Sequence, residues 1–268
     1  YYLLDFTART QSTTPLSYLA KATDILFNPQ DSSHIFYLEN SGLYSAKDGK
    51  TTVIAKNIIS YKFFNSNSIV WLSTAGQLYQ SDIAGKNLAL LANWPVNKEY
   101  MGPDNAKIEI VAGRIIVLKQ GYAYEYVPES KSFKELSLSA GIEDPKFLQS
   151  PNGENMLYYN AEKIYLYAFK KSAYNKTDQN DIRLFEANNG ETISDCYWLN
   201  DDYIIFESGN RIIISEIDFR GNVNQVELQN SWSPNLDSKN PKIIFNSQDS
   251  KIYVLTGKSL YSSEKLVP

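Results

Sequence analysis

Cysteine and histidine are almost absent from this chain: one of each in 268 residues. With Cys196 alone, no disulfide closes within the chain and no thiolate-based metal site forms. With His34 alone, a serine–histidine–acid triad would have to use that residue, and no Gly-x-Ser-x-Gly elbow accompanies it. Histidine-rich metal centres are excluded by count. There is no Walker loop, no Gly-x-Gly-x-x-Gly fingerprint and no Asp-x-Asp-x-Asp-Gly calcium loop. No pattern calls for a cofactor or a metal. No run approaches the roughly 18 apolar residues of a membrane span, so no membrane insertion is expected in this segment. Nor is there a basic stripe. The net charge is -4 and no Lys/Arg cluster is positioned to neutralise phosphates, which argues against nucleic acid. No leader peptide and no initiator methionine precede Tyr1, so the segment reads as excised from a longer chain.

What the chain does have is tyrosine, 20 of them, and a repeat. An apolar run is followed by a short turn and then a Leu-Tyr or Ile-Tyr step. The runs are Ile35–Leu38, Ile69–Leu72, Ile115–Leu118, Met156–Tyr159, Tyr203–Phe206 and Ile252–Leu255. The steps that follow include Leu43-Tyr44, Leu78-Tyr79, Ile164-Tyr165 and Leu260-Tyr261. Copies recur roughly 35 to 49 residues apart, the period of a four-stranded blade. The runs are β-branched and aromatic, Asn, Asp, Gly, Ser and Pro break them, and no window sustains a 3.6-residue period. An all-β fold follows: a six-bladed β-propeller of four-stranded antiparallel blades, in one domain over residues 1–268. The sixth copy offers three strands, Lys242–Phe245, Ile252–Leu255 and Leu260–Ser262. The expected fourth is Tyr2–Phe6, closing the ring beside Leu260–Ser262.

The stretch Asp144-Pro145-Lys146-Phe147, then Ser150-Pro151-Asn152-Gly153-Glu154, then Met156–Tyr159 resembles the repeat of TolB-like, WD40-like (PD40) propellers. Phe27–Asp31 and Phe245–Asp249 are degraded versions, while Leu148 and Asn152 replace the usual Trp and Asp. The opening run Tyr1–Phe6 and the turn Asn28-Pro29-Gln30-Asp31 are similar to propellers that follow PEGA domains in bacterial surface proteins. The resemblance implies a binding or scaffold role in the bacterial envelope.

Two sets of residues are candidates for function. Asp24, Asp144 and Asp195 stand at the entry to the first strand of copies one, four and five. They could converge on a channel mouth to hold a cation or a sugar, or each could cap its own turn. The connectors between copies form the second set. Trp94 and Tyr100 lie between copies two and three, and Trp232 between copies five and six. Connectors from an outer strand to the next inner strand share one end of the blades. A Trp held there either anchors a protein or glycan partner or folds back to cover the blade ends. The expected function is a non-catalytic contact with a protein or a glycan. The alternative is a carbohydrate-active hydrolase or lyase working through the three aspartates, since two suitably spaced acids suffice.

Overall fold

The computed structural model describes residues 4–5, 10–11, 17–94, 104–138, 142, 145–169, 181–209, 211–218, 223–228, 242–246, 249–256 and 259–265. They form antiparallel sheets almost throughout; the one helical piece among them is a single 3-10 turn at Ser17–Leu19. None of these residues forms a helix long and apolar enough to cross a membrane.

The chain packs as two compact units, residues 1–110 with 114–136, and residues 111–113 with 137–268. In the first unit, β1 (Leu4–Asp5) and β2 (Thr10–Gln11) make a ribbon. One four-stranded sheet follows from β3 (Thr23–Asn28), β4 (Asp31–Glu39), β5 (Gly42–Lys47) and β6 (Lys50–Lys56). A second comprises β7 (Ile58–Asn65), β8 (Ser68–Ser73), β9 (Gln77–Asp82) and β10 (Ala89–Asn93). A third comprises β11 (Lys107–Val111), β12 (Arg114–Lys119), β13 (Tyr122–Val127) and β14 (Ser132–Leu136). The second unit holds β15 (Lys146–Gln149), β16 (Asn155–Tyr159), β17 (Lys163–Ala168) and β18 (Asp181–Glu186). Its next sheet is β19 (Ile193–Trp198), β20 (Tyr203–Ser208), β21 (Arg211–Glu216) and β22 (Gln225–Glu227). The last has three strands among the described residues: β23 (Lys242–Asn246), β24 (Lys251–Thr256) and β25 (Ser259–Ser262).

Each sheet sandwiches its second strand between neighbours. Ile69 to Leu72 of β8 and Ile204 to Phe206 of β20 are buried on both faces, while the described outer strand β22 is exposed throughout. That is why the repeat reads as an unbroken apolar run rather than an alternation. Within each unit, side chains of consecutive sheets fill the gap between them. Phe36, Leu38, Tyr61, Ile69 and Trp71 pack between the first two sheets. Leu157, Ile164, Trp198, Ile204 and Phe206 do the same between the fourth and fifth.

The recurring tyrosine is a cross-strand partner. Tyr37 pairs with Tyr44, Trp71 with Tyr79, and Tyr158 with Tyr165, each with stacked rings 5.0–6.0 Å apart. Directly opposed rings shield apolar area and add about 0.5–1 kcal/mol per pair. The turn residues repeat as well. Asn28, Asn65 and Asn200 each accept the backbone N–H two residues on at 2.9 Å, which sets the first hairpin of its sheet. In the fourth sheet Ser150 and Asn152 take over, the Asn152 side chain accepting the Glu154 N–H.

The N-terminal strand differs from expectation. Leu4–Asp5 pairs with Thr10–Gln11 instead of lying beside Leu260–Ser262. The pairing, Leu4 with Gln11 and Asp5 with Thr10, closes only a short loop, and a shorter loop costs less closure entropy than one spanning the chain.

Candidate functional site

The first unit carries a cleft of about 320 Å³. It opens where the turn between β4 and β5, the joint between β6 and β7 and the turn between β8 and β9 come together. Residues Asp104 and Asn105, which lead into β11, complete the wall. Two backbone bonds stitch these loops: Ile58 N–H donates to Ser41 O at 2.8 Å, and Thr74 N–H donates to Asn57 O at 2.7 Å. The second unit repeats the stitch, from Ile193 to Ala161 and from Gly209 to Thr192. Buried Leu38 and Ile58 form the floor, and the exposed polar residues Asp24, Asn40, Ser41, Thr74, Asp104 and Asn105 form the mouth.

Asp24 reaches this mouth through a β-bulge. The register of β3 on β4 shifts between Thr23 and Leu26, and Asp24 sits there with φ at +48°. A left-handed aspartate needs support from its surroundings. Tyr61, 1 % exposed, donates its hydroxyl to the Asp24 carbonyl at 2.6 Å. Burial, with the Asp24 charge adding to it, pushes the Tyr61 phenol far above its ordinary range, so it remains a donor. The Asp24 carboxylate is left over. Asp31, Asp82 and Asp249 each accept a nearby backbone N–H. Asp24 and Asp104 accept none among the described residues, and no Lys or Arg lines the cleft. Among the described residues, then, the Asp24 side chain caps no turn.

Asp195 belongs to the second unit and to another bulge, between Ile193 and Cys196 of β19. It is half-buried beside Glu207, which is 2 % exposed and accepts the Ser194 hydroxyl at 2.6 Å. Burial raises the Glu207 carboxyl above its usual range, the Ser194 bond opposes this, and the Asp195 charge adds to the rise. Lys146 donates to the Ser194 carbonyl at 3.1 Å and lies over the Tyr159 ring. Tyr197, pushed up to about 12 chiefly by burial, donates to Ile243 O. Glu207 is the buried member of this group, while Ser194 and Lys146 are exposed, and their bonds brace the β19 bulge.

The remaining sequence candidates divide. Trp94 is 4 % exposed, with its ring edge-on to Tyr124 and Phe133 at 5.0 and 5.3 Å. It is used as core, the covering position that was its alternative reading, and its indole N–H is buried without a partner among the described residues. Tyr100, Asp144 and Trp232 lie outside the described residues. Cys196 is buried and its thiol is pushed well up by desolvation, which makes it inert. Sequence reasoning missed Asp104, Asn105 and Thr74, which carry only ordinary turn composition. It also missed Glu207, whose signal was a carboxylate directly after the apolar run Tyr203–Phe206.

No family model matches the chain, and no curated protein matches it by sequence. Solved structures do match by shape. The chain is similar to YCF48 from Cyanidioschyzon merolae, with a TM-score of 0.51 at 11% identity over 87% of this chain and 79% of that one. A structure of YCF48 bound to D1 peptide gives a TM-score of 0.50 at 13% identity, over 87% and 74%. The β-propeller domain of Cps50 (Swd1) from Myceliophteria thermophila gives 0.54 at 10% identity, over 90% and 82%. Virginiamycin B lyase from Staphylococcus aureus gives 0.53 at 13% identity, over 92% and 85%. Identities this low speak for fold alone, and with the repeated four-stranded antiparallel sheets they establish it: the chain has the β-propeller fold of the WD40 and YCF48 kind.

Proposed function

We propose that this chain is a protein-binding scaffold that engages its partner through the cleft of the first unit. One observation carries the reading: a concave mouth whose two carboxylates are committed to no group of the described protein. Loops on a stitched, rigid sheet end are a common way to build a recognition surface. Propellers serve as peptide-binding platforms, and YCF48 with its D1 peptide is one among the similar structures. On this reading the six repeat sheets complete a closed six-bladed ring in a single domain. The setting is the bacterial envelope, which rests on the sequence resemblance to propellers that follow PEGA domains. Recovery of the full-length protein from the cytosolic fraction of its source cell would contradict that placement.

The test of the cleft is selection. A displayed random-peptide library is panned on the protein, and the enriched peptides are measured against two variants. Thr74→Trp fills the mouth; Asn67→Trp puts the same bulk in the exposed β7–β8 turn, away from the cleft lining. Peptides should lose binding to Thr74→Trp alone. Equal binding to both variants would refute the cleft as the contact.

A further inference from the structure

Resting on that reading, we infer that the group the cleft takes from its partner is a basic side chain, lysine or arginine. The chemistry of the walls makes the choice. Every charge lining the cleft is negative: Asp24 at the β3 bulge and Asp104 before β11. Both are exposed, and neither is spent on a hydrogen bond or an ion pair among the described residues. Three other carboxylates of the same unit do hold a cation: Asp31 pairs with Lys47 at 2.8 Å, Glu109 with Lys62 at 3.1 Å, and Glu125 with Arg114. No Lys or Arg lines the mouth, so its two carboxylates are offset by no cation there.

The floor fits the same occupant. Leu38 and Ile58 are 5% and 2% exposed, so the bottom of the cleft is apolar while its rim carries hydroxyls, amides and carboxylates. Lysine and arginine have that profile in reverse, an aliphatic stem ending in a charged head. The stem would cover the floor and the head would reach the rim. An acidic or phosphorylated segment would meet two like charges and no donor stronger than an amide or hydroxyl. A purely apolar residue would strip water from two carboxylates without replacing it. The Tyr61 bond holds the Asp24 backbone before any ligand arrives, so the carboxylate is positioned in advance.

The experiment is a titration of the protein with three tripeptides, Ac-Gly-Arg-Gly-NH2, Ac-Gly-Lys-Gly-NH2 and Ac-Gly-Gln-Gly-NH2, read by amide chemical shifts. It is repeated with Asp24→Asn and Asp104→Asn. Asparagine tolerates the left-handed backbone at position 24, so both variants keep the fold and remove only charge. The basic peptides should shift the amides of Asn40, Ser41, Thr74 and Asn105, and raising salt should weaken them. Each variant should weaken them about tenfold, the scale of one charge-assisted hydrogen bond. Shifts at the cleft from all three peptides alike, unchanged in the variants, would overturn the basic-side-chain assignment and leave the cleft reading standing. Shifts elsewhere or nowhere would overturn both.

Discussion

Trp94 separates two accounts of the same residue, and the separation has a magnitude. As a loop anchor its loss would cost binding and leave stability alone. In the structure it is 4 % exposed, packs with Val70, Leu72, Ala106, Ile108 and Val117, and meets Tyr124 and Phe133 edge-on. Truncating a buried aromatic costs about 3–5 kcal/mol through lost transfer energy and the cavity left behind. Trp94→Ala should therefore destabilise by about that amount. Trp94→Phe behaves differently. The indole N–H has no partner among the described residues, so removing it relieves a burial penalty of about 1–3 kcal/mol. The smaller ring leaves a modest void in exchange, and the two effects offset to within about 1.5 kcal/mol. Urea unfolding followed by circular dichroism reads both. With a slope of about 1–3 kcal/mol per molar, the Ala variant should lose more than 1 M in midpoint and the Phe variant far less. An Ala variant within about 1 kcal/mol of the parent would refute the core assignment and return Trp94 to the surface.

Other outcomes follow from the same geometry. Ser194→Ala removes the donor to a buried carboxylate and should cost about 1–3 kcal/mol in urea unfolding near neutral pH, more than a typical exposed serine. Glu207→Gln keeps an acceptor for Ser194 and removes the charge. Because burial raises the Glu207 folded-state pKa above its unfolded value, its contribution is present below the unfolded value and is lost as pH rises through the folded one. Stability of Glu207→Gln relative to the parent should therefore rise across that window, and a flat difference between acid and neutral pH would refute it. Tyr61→Phe should cost about 0.5–1.5 kcal/mol and also weaken any cleft ligand, since the Asp24 backbone loses its hold. Asn200→Ala frees two amides of the β19–β20 hairpin, Asp202 and Tyr203, and should cost about 1 kcal/mol with no effect on the cleft.

The sheets were legible because their signal is local. Runs such as Ile69–Leu72 and Met156–Tyr159 are buried on both faces, and a strand buried on both faces has to be apolar at every position. Turn residues such as Asn28 and Asn200 act within two or three residues of themselves, so they too could be read in sequence. The cleft was half legible. Asp24 was marked by its place at a strand entry, but the bulge that turns it toward the mouth depends on how β3 meets β4. Asp104 and Thr74 reach the same mouth from loops about 30 residues apart, and nothing in either loop announces the other. Trp94 misled for a related reason. Its neighbours Asn93 and Pro95 have loop composition, whereas its burial is decided by Tyr124 and Phe133 across the sheet gap. The pairing of the N-terminal strand was lost because a nearby segment, Thr10–Gln11, competed for it.

The central claim is that the unpaired carboxylates of the cleft are what a partner meets. The most direct measurement is the Arg tripeptide titration of the parent beside the Asp24→Asn, Asp104→Asn double variant, with amide shifts recorded throughout. The account predicts saturable shifts at Asn40, Ser41, Thr74 and Asn105 in the parent and their disappearance in a double variant of unchanged fold. Equal shifts in both proteins, or shifts confined to residues away from these loops, would contradict it.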